Sequence, residues 1–407
     1  MTEKYDSAYQ EALRIIKDAA ARGETRLDLS KKQLTLLPPE IGLLTNLTWL
    51  YLWHNQLTSL PPEIALLKNL TELNVSENQL TSLPPEIVQL KNLEKLNVWD
   101  NQLTSLPPEF PRLEKLTALY LSANPLTSLP PEFPQLEELT TLYFSINGPT
   151  PLPVEIAQLK NLRYLGLSPG RLISLPPEIA QLKNLRSLDL QGNQLTSLPA
   201  DIAQLADLEF IDVGGNQLTS LPPEITQLTN LKRLRLDHNQ LSSLPSEIVQ
   251  LKNLIELDFS ENRLTSLPPD VPQLKELEIM NLKGNKLRSL PPEIAQLRNL
   301  FMLQLGGNQL ASLPIEIAQI EKLMYLDLSA NRFTSLPPGI AQLSNLFDLD
   351  LRANQLTSLP PEIARLPKLR GLLVEGNPLI DPPAEVVQQG TKAILAHLRA
   401  KADEARP

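Results

Sequence analysis

The stretch from Leu70 to Leu83 reads L-T-E-L-N-V-S-E-N-Q-L-T-S-L. In outline it is L-x-x-L-x-[L/V]-x-x-N-x-L, and that outline returns every 23 residues without a slip. Its asparagine marks the lattice. Asn55, Asn78, Asn101, Asn124, Asn147, Asn193, Asn216, Asn239, Asn262, Asn285, Asn308, Asn331, Asn354 and Asn377 all fall on it, and Lys32 and Gly170 take its place at two further points. Sixteen units therefore run from about Glu24 to about Thr391. A length of 407 residues would by itself suggest two or three domains. The period overrides that expectation, because a stacked array grows by addition and has no single core to fill.

Each unit follows one plan. The L-x-x-L-x-L segment predicts a short strand, and strands of successive units pair in parallel along a concave face. The lattice asparagine sits where the chain turns away, where its amide can satisfy backbone groups of its own and the neighbouring turn. The following P-P-E-I predicts a short helical or 3-10 segment: proline suits a first helical position, and the glutamate suits the positive end of the helix dipole. The Leu, Ile and Val positions point inward as one continuous core, where a Leu→Ala change should cost roughly 2–5 kcal/mol. The recurring PPE, KNL and Asn residues thus report packing and are not sites. Pro111, Pro134 and Pro272 follow the Ile position of their units and should shorten the outer turn. The pattern is least regular from Tyr143 to Ser174, where Pro149 takes a Leu position and Gly170 the Asn position. That segment is either a local kink or a loop that shapes a binding pocket.

The ends differ from the repeats. Residues 3–22 carry an apolar stripe of Tyr5, Tyr9, Ala12, Leu13, Ile16 and Ala20, ended by Gly23. A helix there would cover the open end of the array, the alternative being a dimerising helix. After Asp381, Val386, Val387, Ile394, Leu395 and Leu398 predict a second helical cover interrupted near Gly390, followed by a polar tail. The expected organisation is an N-terminal helical cap at 1–23, repeats at 24–380, and a C-terminal helical cap with tail at 381–407. Capped ends favour a monomer.

The repeated outline is that of a leucine-rich repeat, and the chain resembles leucine-rich-repeat proteins over most of its length. The resemblance implies an α/β horseshoe solenoid with a parallel sheet on the concave face and helical or 3-10 turns on the convex face. The short 23-residue unit with L-P-P-E-I is similar to the bacterial and intracellular class. The opening from Tyr9 resembles the start of many bacterial repeat proteins. The ending, P-P-A-E-V-V-Q-Q-G-T-K-A-I-L-A-H-L from Pro382, resembles the junction after the repeats of Roco-type proteins, where a Ras-like GTPase domain follows. No G-x-x-x-x-G-K-[ST] phosphate loop is present, so no GTPase activity carries over.

Composition narrows the function classes. A net charge of −9 with no basic run argues against nucleic acid as a partner. The absence of cysteine removes disulfides, thiolate zinc sites and cysteine nucleophiles. No apolar h-region opens the chain, and no apolar run approaches the roughly 18 residues of a membrane span. A cytoplasmic protein without membrane contact is expected. Catalysis finds no footing: the serines belong to the L-T-S-L repeat, and no Ser-His-Asp arrangement stands out. His397 lies on the C-terminal helix. His238 with Asp237, Asp258 and Glu261 lacks a recognisable ligand spacing, so neither metal nor cofactor is expected.

Information then lies in what varies. Four positions per unit (six, four, two and one before the lattice Asn) point to the concave face or its edge. They hold Trp49, Tyr51, Trp53 and His54; Lys95, Asn97, Trp99 and Asp100; then Tyr120, Tyr143, Tyr164 and Phe210. All three tryptophans lie there, with five of the seven tyrosines when Tyr325 is included. Exposed Trp and Tyr dominate interface hot spots, although cross-strand stacking alone is the plainer role. The middle units carry charge instead. Arg233, Arg235 and Asp237 depart from the usual composition and are candidates for steering a charged partner or, alternatively, for pairing among themselves. The aspartates four before the lattice Asn (Asp28, Asp189, Asp258, Asp327 and Asp350) are expected to be solvated background. The expected function is a non-catalytic scaffold binding a protein or peptide. A regulatory module acting on a Ras-like GTPase domain and a carbohydrate binder are the alternatives.

Overall fold

The computed structural model describes residues 2–145 and 147–404. The chain divides into two compact units, Met1–Leu195 and Thr196–Pro407. The first begins with helix α1 (Thr2–Arg22) and carries strands β1 (Arg26–Asp28), β2 (Trp49–Tyr51), β3 (Glu72–Asn74), β4 (Lys95–Asn97), β5 (Ala118–Tyr120), β6 (Thr141–Tyr143), β7 (Tyr164–Gly166) and β8 (Ser187–Asp189). The second carries β9 (Phe210–Asp212), β10 (Arg233–Arg235), β11 (Glu256–Asp258), β12 (Ile279–Asn281), β13 (Met302–Gln304), β14 (Tyr325–Asp327), β15 (Asp348–Asp350) and β16 (Gly371–Leu373), and ends in α2 (Ala384–Val387) and α3 (Thr391–Glu404).

Within each unit every strand pairs in parallel with the next, and the register is one whole repeat: Arg26 opposes Trp49, and Trp49 opposes Glu72. Three-residue strands suffice because the central Leu is wholly buried while its two neighbours face outward, as at Leu50 between Trp49 and Tyr51. The opposite face is made of 3-10 segments such as Pro62–Leu66 and Pro85–Gln89, each with proline at its start and glutamate in its first turn. Pro111, Pro134 and Pro272 do shorten these segments, to Phe110–Arg112, Phe133–Gln135 and Val271–Gln273. Leucines, isoleucines and the phenylalanines Phe110, Phe133, Phe259 and Phe333 fill the space between the faces with almost no exposure.

The lattice asparagines act as expected. Asn78 is buried; its Oδ1 accepts from the Leu57 amide at 3.0 Å, and its Nδ2 donates to the carbonyls of Leu52, Val75 and Ser76, all at 3.0 Å. A second, exposed ladder was not anticipated. The Asn of each K-N-L turn donates to a carbonyl of the preceding repeat: Asn69 to Thr45, Asn92 to Lys68 and Asn184 to Lys160, each at 2.9 Å. The aspartates read as solvated background also prove structural. Asp28 and Asp189 accept from the amides of Ser30 and Gln191 at 2.8 and 3.0 Å, and Asp258 and Asp327 do the same at Ser260 and Ser329. A carboxylate two residues before a free amide closes an Asx turn, which ends the strand.

The irregular segment interrupts the main ladder. Asn147 is exposed, and among the described residues its amide reaches only the Asn124 carbonyl. At Gly170 the backbone amide alone bridges to Gly192, at 3.1 Å. Ile146 lies outside the described residues. At the N-terminus α1 packs on the segment Pro39–Leu43 through buried Ala12, Ile16 and Ala19; Leu13 and Ala20, expected in that stripe, are half-buried, and the Tyr5 side chain lies outside those described. At the C-terminus α3 packs on Pro361–Arg365 and on β16 through Ile394, Leu395 and Leu398, with Gly390 at φ +82° breaking it from α2. Among the described residues no helix is long and apolar enough to cross a membrane.

Candidate functional site

In the first unit the outward strand positions bring eight of the sequence-derived candidates onto one face. On β2, Trp49 and Tyr51 are half-buried with ring centroids 6.2 Å apart. Trp53 and His54 follow β2 and meet edge to face at 6.1 Å. Trp99 follows β4 and is 41% exposed. Tyr120 and Tyr143, opposed on β5 and β6, stack at 5.4 Å and 13°. Tyr143 lies over Gly166 on β7, where a Cβ would collide with its Cδ1. Tyr164, at the other end of β7, is 44% exposed.

Sequence reading missed the charged partners of these rings. The Arg26 guanidinium lies 3.6 Å from the Trp49 centroid, and the Lys31 ammonium 4.3 Å from that of Trp53. The Tyr51 hydroxyl donates to Glu72 at 3.1 Å, and His54 Nδ1 meets Glu77 at 2.7 Å. Lys95 turns toward Glu72 at 3.9 Å. Their proximity, though not which side chains would pair, was available: a parallel register of one repeat makes residues 23 apart neighbours, so Arg26 stands next to Trp49. Burial, then the Glu72 carboxylate, pushes the Tyr51 phenol above its ordinary range. Burial and the neighbouring Tyr120 do the same to Tyr143. Both therefore stay neutral and remain hydrogen-bond donors at physiological pH.

The residue before the lattice Asn has a further property. Its backbone is left-handed, and Gly192, Gly215, Gly284, Gly307 and Gly376 meet that demand without cost. Lys31, His54, Glu77 and Asp100 occupy it instead, at φ between +53° and +58°. A side chain there costs on the order of 1 kcal/mol of strain. Four successive repeats carry charged or polar groups where glycine would suit the backbone better. They line one edge of the aromatic face.

The second unit holds the remaining candidates. Phe210 on β9 is covered by both arginines of β10, with the Arg233 and Arg235 guanidiniums 4.9 and 5.8 Å from its ring. Arg235 also donates to Glu256 at 2.8 Å, and this hydrogen bond holds its guanidinium still more firmly charged. Asp237 packs over Gly214, where a Cβ would lie 2.5 Å from its Oδ1, and meets His238 at 3.1 Å. Arg235 and Asp237 are thus engaged by neighbouring side chains, and Arg233 by the Phe210 ring. Arg235 pairs with a glutamate, whereas Arg–Asp pairing was the expected alternative. Tyr325 on β14 meets Phe347 at 6.1 Å. Among the described residues no group of three or more His, Cys, Asp or Glu side chains is placed to hold a metal ion.

Parallel three-residue strands, buried asparagine ladders and 3-10 outer turns in a 23-residue repeat define a solenoid of the leucine-rich type. Comparison with known proteins agrees. Family models described as leucine rich repeat match residues 45–97, 91–148, 229–273, 253–310 and 321–379, and one described as a leucine-rich repeat region matches 153–236. The chain belongs to the leucine-rich-repeat family. It is similar to a solved leucine-rich-repeat protein of Leptospira interrogans, with 39% identity over 92% of this chain and 96% of that one, and a TM-score of 0.78. It is also similar to the leucine-rich-repeat ectodomain of the Arabidopsis thaliana membrane receptor kinase GASSHO1/SCHENGEN3, solved in complex with Casparian strip integrity factor 2. That match has 31% identity and a TM-score of 0.67, over 89% of this chain but 48% of the receptor chain. The functional domain of InlJ from Listeria monocytogenes is similar at 25% identity and a TM-score of 0.69, over 85% and 72% of the two chains. No match was found among curated protein sequences.

Proposed function

We propose that this protein is a non-catalytic scaffold that binds a protein or peptide on the strand face of its first unit. The observation that carries this reading is the gathering of Trp49, Tyr51, Trp53, Trp99, Tyr120, Tyr143 and Tyr164 on outward positions of that face. Aromatic side chains fixed by a rigid sheet give large contact area at little entropic cost, which is why they dominate hot spots. Neighbouring carboxylates and cations on β1 to β4 supply the register. The solved receptor complex with Casparian strip integrity factor 2 is an instance of a ligand held by the same fold. In the second unit, Phe210, Arg233, Arg235 and Asp237 are a secondary contact strip, since Arg233 covers the Phe210 ring and Arg235 and Asp237 are already engaged by Glu256 and His238.

The test is a pull-down from a lysate of the source organism. Wild type is compared with a Trp53→Ser, Trp99→Ser, Tyr120→Ser variant whose fold is checked by circular dichroism. The reading expects a partner captured by wild type and lost by the variant. Capture by both would leave the aromatics a structural role.

A second reading rests on the C-terminal sequence. Residues 382–398, which resemble the Roco-type junction, form α2 and the first half of α3, and α3 docks on the last 3-10 segment. In that reading the chain regulates a Ras-like GTPase domain. It predicts a Ras-like protein among the captured partners, and pull-downs free of any GTPase would count against it.

A further inference from the structure

Resting on the scaffold reading above, we propose that Trp99, Glu77 and Asp100 form a receptor site for one Lys or Arg side chain of the protein ligand. The chain itself shows how a cation sits on this face. Arg26 covers Trp49 at 3.6 Å, and Lys31 covers Trp53 at 4.3 Å. In both cases the cation comes from the preceding repeat. Trp99 occupies the same place in its repeat as Trp53 does in its own, two before the lattice Asn. The residue that stands to Trp99 as Lys31 stands to Trp53 is Glu77. Where the first tryptophan has an ammonium from its own chain, the second has a carboxylate.

The consequence is an exposed indole face without a cation. Among the described residues no ring or cation stacks on Trp99, which is 41% exposed. Two acidic residues adjoin it along the backbone: the Glu77 amide donates to the Trp99 carbonyl at 2.9 Å, and Asp100 follows Trp99 in the chain. Glu77 uses Oε2 for His54 at 2.7 Å, so Oε1 remains available. The Asp100 carboxylate is exposed, and no hydrogen bond or ion pair among the described residues reaches it. Lys95, the nearest lysine of the same strand, directs its charge to Glu72. A shallow cavity of about 340 Å³ opens next to Trp99, which does not line it; its walls include His54, Glu77 and Asp100 together with Gln56 and Gln79. An aromatic face, two carboxylates and a polar rim complement an ammonium or guanidinium. Both acidic residues stand at left-handed backbone positions, with φ +53° at Glu77 and +54° at Asp100.

Selection of phage-displayed random dodecapeptides tests this, with wild type, Trp99→Ala, Glu77→Gln/Asp100→Asn, and Tyr120→Ala/Tyr143→Ala as baits. All are surface changes, and circular dichroism confirms the fold of each. The expected wild-type consensus fixes one Lys or Arg, and the two Trp99-site baits lose that residue from their consensus. In anisotropy titrations the selected peptide should bind those two baits roughly tenfold more weakly. Its norleucine or citrulline analogue should bind wild type equally weakly. A consensus without a fixed basic residue, or one retained by both Trp99-site baits, overturns the proposal. If such a consensus still disappears on the Tyr120→Ala/Tyr143→Ala bait, the scaffold reading stands and only the basic contact fails. Absence of any enriched sequence counts against both.

Discussion

At the scale of single residues the molecule separates two kinds of asparagine. Asn78 and its equivalents are buried and make up to four hydrogen bonds to backbone; the Leu57 amide rests on Asn78 alone among the described residues, while the Leu52, Val75 and Ser76 carbonyls each share it with a second donor. Removing such a side chain strands a buried amide, at about 1–3 kcal/mol, and takes a donor from three carbonyls besides. Asn69 makes one exposed bond, which water can replace; Asn92, Asn299 and Asn345 make the same bond and also accept from a lysine of the next repeat. Asn78→Ala is therefore expected to destabilise by at least about 2 kcal/mol, and Asn69→Ala by less than about 1 kcal/mol. Urea unfolding of the two variants measures the contrast, and equal losses would refute it. The Asx-turn aspartates belong with the buried asparagines in kind, since their carboxylates close a backbone turn before they offer charge to a partner.

At the scale of elements, α3 is fastened by polar as well as apolar contacts. Asp381 accepts from His397 Nε2 at 2.6 Å and pairs with Lys401. Lys401 first, then His397, hold its carboxyl below the ordinary carboxylate range. A carboxyl that titrates lower when folded contributes in full above its unfolded value, about 4. The contribution is lost as pH falls through the folded value. Wild type should thus melt higher than Asp381→Asn at neutral pH, and the two melting curves should converge in acid. A gap in melting temperature that stays constant from neutral pH into strong acid would show that the carboxylate charge is not what fastens α3. None of this was readable beforehand: Asp381, His397 and Lys401 looked like loop, helix face and polar tail. Their meeting depends on how α3 turns after Gly390. The strands, ladders and shortened proline turns were legible because a fixed period repeats each packing decision many times. The aromatic face was legible for the same reason, since strand alternation decides which side chains point outward. Its ion pairs were not, because rotamers of long side chains are set by neighbours one repeat away. Glu72 illustrates this, serving Tyr51 on one strand and Lys95 on another.

At the scale of the whole molecule, a repeat array has stability that is a sum of local terms and nearest-neighbour interfaces. A core cavity should then be felt locally. Leu96→Ala, at a fully buried position of β4, is expected to raise amide exchange in β3 to β5 while leaving β12 to β14 as in wild type. Hydrogen-exchange mass spectrometry distinguishes this from a uniform rise, which would mark one all-or-none unit. The same summation explains how the strand face can carry strained and half-exposed aromatic groups: each repeat is held by its own leucines and asparagine, and its outward residues are left to vary.

Asn147 gives this chain a built-in clock. Of the lattice asparagines it alone is followed by glycine, and it is exposed, off the buried ladder. Asn-Gly is the dipeptide most prone to deamidate, because the following amide can close on the side-chain carbonyl unhindered. The buried ladder amides are held by their hydrogen bonds and shielded from that attack. Aged samples should accumulate aspartate and isoaspartate at this position before any other asparagine of the ladder, as peptide mapping would show. The new charge would appear on the turn that follows Tyr143, so the age of a preparation would be written beside its tyrosine stack.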